Sequence, residues 1–86
     1  MKQFTLHFIF EDNDYSAEIT ETISRDGIYI YVKQQDQLLA ERFGWHQRII
    51  MTPDGNFVPD HESALTMAIL KALVDYRNEY PGTRRK

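Results

Sequence analysis

Across residues 60–79 the chain reads DHESALTMAILKALVDYRNE. Leu65, Ile69, Ala72, Leu73, Tyr76 and, one residue past the quoted stretch, Tyr80 return at steps of three, four and seven, which places them on one face of an amphipathic helix. A second apolar row, Met67, Leu70 and Val74, falls roughly 100 degrees or more further round. Asp60 is the expected N-cap, with Glu62 favourable in the first turn. Pro81 disfavours helix at the residue before it, and Gly82 follows, so the helix is expected to stop near Tyr80. No earlier segment shows a helical period. The rest of the chain alternates with a period of two, so one helix must cover a sheet.

Phe4, Leu6, Phe8 and Phe10 alternate with Thr5, His7 and Ile9, which marks a strand. Glu11-Asp12-Asn13-Asp14 reads as a turn, after which Tyr15, Ala17, Ile19 and Ile23 alternate with polar residues. Pairing around Asp12-Asn13 sets Phe10 against Tyr15, Phe8 against Ala17 and Leu6 against Ile19, and it puts His7 opposite Glu18. Asp26-Gly27 supplies a second tight turn, setting Ile23 against Ile30, Thr22 against Tyr31 and Ser24 against Tyr29. Both hairpins keep the same face of the second strand inward, an agreement that a one-residue slip would destroy.

A fourth strand is expected from roughly Leu38 to Phe43. Neither of its registers is clean, since one turns Glu41 inward and the other Arg42, so an edge strand or a bulge is expected there. Arg48 to Thr52 forms a short fifth strand, Pro53-Asp54-Gly55-Asn56 a turn, and Phe57-Val58-Pro59 an extended lead into the helix. The expected fold is α+β: an antiparallel meander of four to five strands with one C-terminal helix packed on one face. Residues 1–82 are expected to form a single domain and 83–86 a basic disordered tail.

The length of 86 residues suits one domain, and at this size only about 60–65% of the unfolded surface can be buried. An apolar fraction of 42%, with five Phe, five Tyr and one Trp, is enough for one packed pair of layers. Cysteine is absent, which removes disulfides, thiolate nucleophiles and cysteine zinc sites together. The N-terminal segment lacks the continuous apolar run of a signal peptide, and no run approaches the ~18 residues of a membrane span. A cytoplasmic protein without membrane partners is expected. Net charge is −3, unevenly spread: residues 1–60 hold five Lys/Arg against ten Asp/Glu, while 61–86 hold five against three. The sheet region is therefore acidic, which disfavours a face that tracks phosphates.

The residues that could carry chemistry are few. His7 beside Glu18 could act as an acid–base couple, but a cross-strand surface pair needs no function. Asp54, Asp60, His61 and Glu62, with His46 near, offer oxygen and imidazole ligands, yet consecutive residues diverge around a helix and no His-x-x-x-His spacing occurs. Asp12-Asn13-Asp14-Tyr15-Ser16 fails as a calcium loop, with Ala17 where glycine is needed and Ile23 where a bidentate Glu is needed. No nucleophile elbow, phosphate loop or dinucleotide fingerprint is present. No catalytic residue, metal site or cofactor is expected, and an enzyme is not.

Two surfaces are left as candidates for binding. Tyr29, Tyr31, Lys33, Arg42 and Trp45 are expected on the sheet face away from the helix, where aromatics can anchor a partner or stack bases. Met67, Leu70 and Val74 could bury against a two-fold mate, giving a homodimer through the C-terminal helix. The function expected is thus a small non-enzymatic binding or protein-interaction domain. The alternative is a single-stranded nucleic-acid-binding regulator, because the meander-plus-helix dimer resembles, in architecture only, the transcriptional coactivator type of single-strand binder. A metal-binding or hydrolytic protein is the third reading.

Overall fold

A computed structural model describes residues 1–79. Its elements are β1 (Lys2–Phe10), β2 (Asn13–Ser24), β3 (Gly27–Gln34), α1 (Gln37–Phe43), β4 (His46–Met51), β5 (Phe57–Pro59) and α2 (Ala64–Glu79). The strands form one antiparallel sheet in the order β1-β2-β3-β4-β5, a meander, with α2 packed against it. The α+β class and the meander are as the alternation predicts. Tyr80, the helix stop at Pro81 and the 83–86 tail lie outside the described residues.

Each inward row follows from the strand period. Leu6, Phe8 and Phe10 of β1, Ala17 and Ile19 of β2, Ile30 and Val32 of β3 and Ile49 of β4 all face the helix side and are buried. Leu65, Ile69 and Leu73 of α2 are wholly buried against them. α2 crosses from the β4 side, where Thr66 Oγ1 donates to Gln47 Oε1 at 3.3 Å, to the β1 side, where Tyr76 stacks on Phe4 at 4.3 Å between ring centroids. Near that end Arg77 Nη2 reaches the carboxylate of Glu21 at 2.7 Å, giving a nearly buried anion its counter-charge.

Both hairpin registers differ from the predicted ones by two residues. Phe10 pairs with Asn13, Phe8 with Tyr15, Leu6 with Ala17 and Phe4 with Ile19, around a turn at Glu11-Asp12 in which both residues have positive φ (52° and 65°). His7 consequently lies opposite Ser16, and Glu18 sits between Thr5 and Lys33. In the second hairpin Ile23 pairs with Ile28, Thr22 with Tyr29 and Thr20 with Tyr31. A slip of two preserves every side chain's face, so alternation cannot detect it. The turns settle it instead. Ser24 opens the second turn, its Oγ accepting from the Asp26 N–H, and Gly27 closes it at φ 139°. A Cβ at Gly27 would collide with the Met51 carbonyl, so only glycine fits.

The segment predicted as a fourth strand is the helix α1. Asp36 caps it, Oδ1 accepting from the Leu39 N–H at 3.1 Å, and the Gly44 N–H closes the far end on the Ala40 carbonyl at 2.7 Å. Helical geometry buries Leu39 and Ala40 while leaving Glu41 and Arg42 in water. No strand register could do both. The strand predicted at Arg48 to Thr52 is present as β4, and Phe57–Pro59 pairs with it as β5. The helix also starts later than predicted. Asp60 does not cap it: its N–H donates to the Arg48 carbonyl and its side chain pairs with Arg48, extending the β4–β5 contact. Ser63 caps α2, Oγ accepting from the Thr66 N–H at 3.1 Å, and Glu62 lies before the first turn.

Gln34 differs from the other buried polar residues, Glu21 and Thr66, whose side chains are hydrogen-bonded. Its side chain is buried, and among the described residues neither amide atom has a hydrogen-bond partner. An unpaired buried amide costs roughly 1–3 kcal/mol. Gln34→Met, close in shape and without that cost, is expected to stabilise the domain by about 1 kcal/mol, measured as a higher urea midpoint at unchanged m-value.

Candidate functional site

The two edges of the sheet are unlike. β5 has three residues, one of them proline, and so offers little to an approaching strand. β1 is nine residues long, without proline or bulge, and with one charged residue, Lys2, at its start. Phe10 and Asn13 close a two-residue turn and therefore exchange hydrogen bonds, and by alternation so do Phe8, Leu6, Phe4 and Lys2 with their β2 partners. The N–H and C=O groups of Gln3, Thr5, His7 and Ile9 accordingly point away from the sheet. Among the described residues none of them has a hydrogen-bond partner.

A groove of about 580 Å³ runs beside this edge. One wall is β1 itself from Thr5 to Ile9, and residues of both parities line it, as they must where a groove abuts a strand's rim. The other wall is the flank of α2 bearing Ala68, Ala72 and Tyr76, with Lys71 and Asp75 beside them. Ala68 and Ala72 are small, so the wall stands back from the strand. Leu6 and Phe8 make the groove apolar at its base, and Lys2 Nζ lies over the Phe4 and Tyr76 rings at 5.2 and 5.4 Å.

The predicted outer-face residues divide. Tyr29, Tyr31 and Lys33 share the face away from α2, in cross-strand rows with Thr22 and Ile50, Thr20 and Arg48, and Glu18 and His46 respectively. Tyr31 is exposed and Tyr29 half-buried. Arg42 is not with them: it is on α1, paired with Glu11 at 2.8 Å and lying over the Phe10 and Phe43 rings. Trp45 sits at the entry to β4, its carbonyl accepting from the Gln34 N–H. Charges on the outer face alternate in sign, with Glu18 beside Lys33 and Asp60 on Arg48, and make no basic track.

On α2 the second apolar row is split. Leu70 packs against the core, while Met67 and Val74 are 58% and 42% exposed. Of the residues weighed as metal ligands, His46, Asp60 and His61 border one depression of about 220 Å³ near Tyr31 and Arg48, whereas Asp54 belongs to the β4–β5 turn at the other end of β4. Among the described residues no three His, Asp or Glu side chains come together in a way that could hold a metal ion. No described helix is long and apolar enough to cross a membrane.

The chain matches no known protein family, and no curated protein or solved structure is significantly similar to it. The β1 edge is absent from the sequence-based candidates, though one signal pointed to it. The first strand of a meander pairs on one side only, and no proline interrupts Lys2–Phe10.

The turn at one end of this edge is held by the Glu11–Arg42 pair. The guanidinium hydrogen bonds hold the Glu11 carboxyl below the usual glutamate range, and the carboxylate raises Arg42 in turn. A lowered carboxyl contributes stability that is full above the ordinary glutamate range and is lost as pH falls through its folded value. Glu11→Gln is therefore expected to lower the melting temperature at neutral pH and to match the parent below that value. Paired thermal scans from pH 2 to 7 check this.

Proposed function

We propose that this chain is a non-catalytic protein-interaction domain that takes an extended stretch of polypeptide onto the free edge of β1. The single observation that carries the reading is the set of unpaired backbone groups on Gln3, Thr5, His7 and Ile9, aligned along a groove against α2. Adding a strand there satisfies those groups in a regular ladder and turns every second side chain of the incoming strand into the groove. Leu6, Phe8, Ala68 and Ala72 favour apolar side chains at those alternate positions. Specificity then comes from the groove and affinity from the backbone.

The balance of charge on the outer face weighs against the single-stranded nucleic-acid reading, since Lys33 and Arg48 each stand beside a carboxylate. The binding reading is preferred to a catalytic one because the β1 edge is built from backbone groups, whereas His7 pairs across the sheet with Ser16 and not with Glu18.

Display of random nonapeptides on the parent protein is expected to enrich sequences with alternating apolar residues. Thr5→Pro should weaken the enriched peptides at least tenfold while far-UV circular dichroism stays unchanged, because the Thr5 N–H faces away from β2 and proline is tolerated on such an edge. Leu6→Pro removes a bond to β2 and is expected to unfold the chain. Display that enriches no peptide, or enriched peptides that bind Thr5→Pro as well as the parent, would rule the reading out.

A further inference from the structure

The edge of β1 is close to self-complementary under a two-fold rotation. We infer that the polypeptide it takes is the β1 of a second copy of this chain, so that two five-stranded sheets join into one of ten. The inference rests on the binding mode proposed above and names its occupant.

The free groups fix the register. Hydrogen-bonded pairs across a β1–β1′ junction must join odd residues to odd residues, since the even ones are committed to β2. A dyad through Leu6 pairs Gln3 with Ile9 of the second copy, and Thr5 with His7, and the reverse by symmetry. That register engages all four free residues of each copy. A dyad through Thr5 leaves Ile9 of each copy unpaired, and one through His7 leaves Gln3 unpaired.

Side chains agree with this choice. On the outer face Ile9, 67% exposed in one copy, gains Gln3 as its cross-strand neighbour, and Thr5 meets His7. On the helix side Leu6 meets Leu6 at the dyad, and Phe4 meets Phe8. Lys2 comes opposite Phe10, beside Asp12 and the Glu11–Arg42 pair of the other copy, a turn whose charges sum to −1, so unlike charge meets at both ends of the junction. The dyad stands perpendicular to the sheet, which places both α2 helices on one side and brings the two grooves together. Lys71 and Asp75 on the rim carry opposite charges, as suits a surface that meets its own copy. The helix row first considered for a dimer leaves only Met67 and Val74 well exposed, too little for an interface of roughly 800 Å² per partner.

The test is self-association of the full chain by sedimentation equilibrium, with distances from spin labels. The parent is expected to dimerise, Thr5→Pro to remain folded and monomeric, and Lys2→Glu to weaken the dimer at least tenfold at low salt. A nitroxide at Gln3→Cys should report one intermolecular distance of about 20 Å between backbones, six residues at about 3.4 Å each. Dimerisation with that distance supports the inference. A dimer that survives Thr5→Pro, or that gives a clearly different distance, overturns it, and so does a parent chain that stays monomeric at millimolar concentration. In the last case the displayed nonapeptides separate the two ideas: peptides that bind the monomer and are lost in Thr5→Pro leave the edge-binding reading standing, and their absence removes both.

Discussion

A nine-residue strand such as β1 runs about 30 Å, whereas a helix laid across the strands covers a band only about 10 Å wide. Much of this structure follows from that mismatch. α2 buries Leu65, Ile69 and Leu73 over the middle of the sheet, yet the apolar row of β1 continues to Phe10, beyond what one helix can shield. α1 covers the remainder, setting Leu39 into the common core and Phe43 edge-on against Phe10 at 5.7 Å between centroids. Among the described residues both helices lie on one face, and none covers the other, which bears Tyr29 and Tyr31.

Periodicity sets what is legible in the sequence. Faces are legible because the side-chain period in a strand is two and in a helix 3.6, which puts Leu6, Ile19, Ile30 and Leu73 inward. Register is not, because pairing Phe8 with Tyr15 or with Ala17 keeps every residue on its own side. Deciding between them took the Glu11-Asp12 turn and its tie to Arg42, a residue 31 positions away. The α1 segment reads as a strand because seven residues make barely two helical turns, too short for periodicity to compete with a neighbouring β pattern. Its inconsistent registers were the symptom, and Asp36 before Leu38-Leu39-Ala40 was the cap signal that could have corrected it.

The candidate site was less legible than the fold, for a physical reason. Outer-face aromatics and an apolar helix row are written in side chains and are visible in the sequence. The β1 edge is made of backbone N–H and C=O groups, which every residue other than proline carries. What distinguishes an open edge is its position in the sheet order and the lack of a device that guards it, and here β5 is short and ends in proline while β1 is neither. Ala68 and Ala72 then matter for their small size, which lets α2 stand as a wall instead of a lid.

The pairing of α2 with β1 also brings the first strand and the last described helix together. The β1–β2 and β2–β3 hairpins close over a few residues each and can form early, in microseconds. Phe4, Leu6 and Phe8 lack their helical cover until residues 64–79 have been synthesised and have docked across a loop of more than fifty residues. During that interval on the ribosome a sheet with a bare apolar face and an unguarded rim is in contact with the cell, which makes nascent-chain aggregation, and the chaperones that prevent it, a matter of how quickly the final helix arrives.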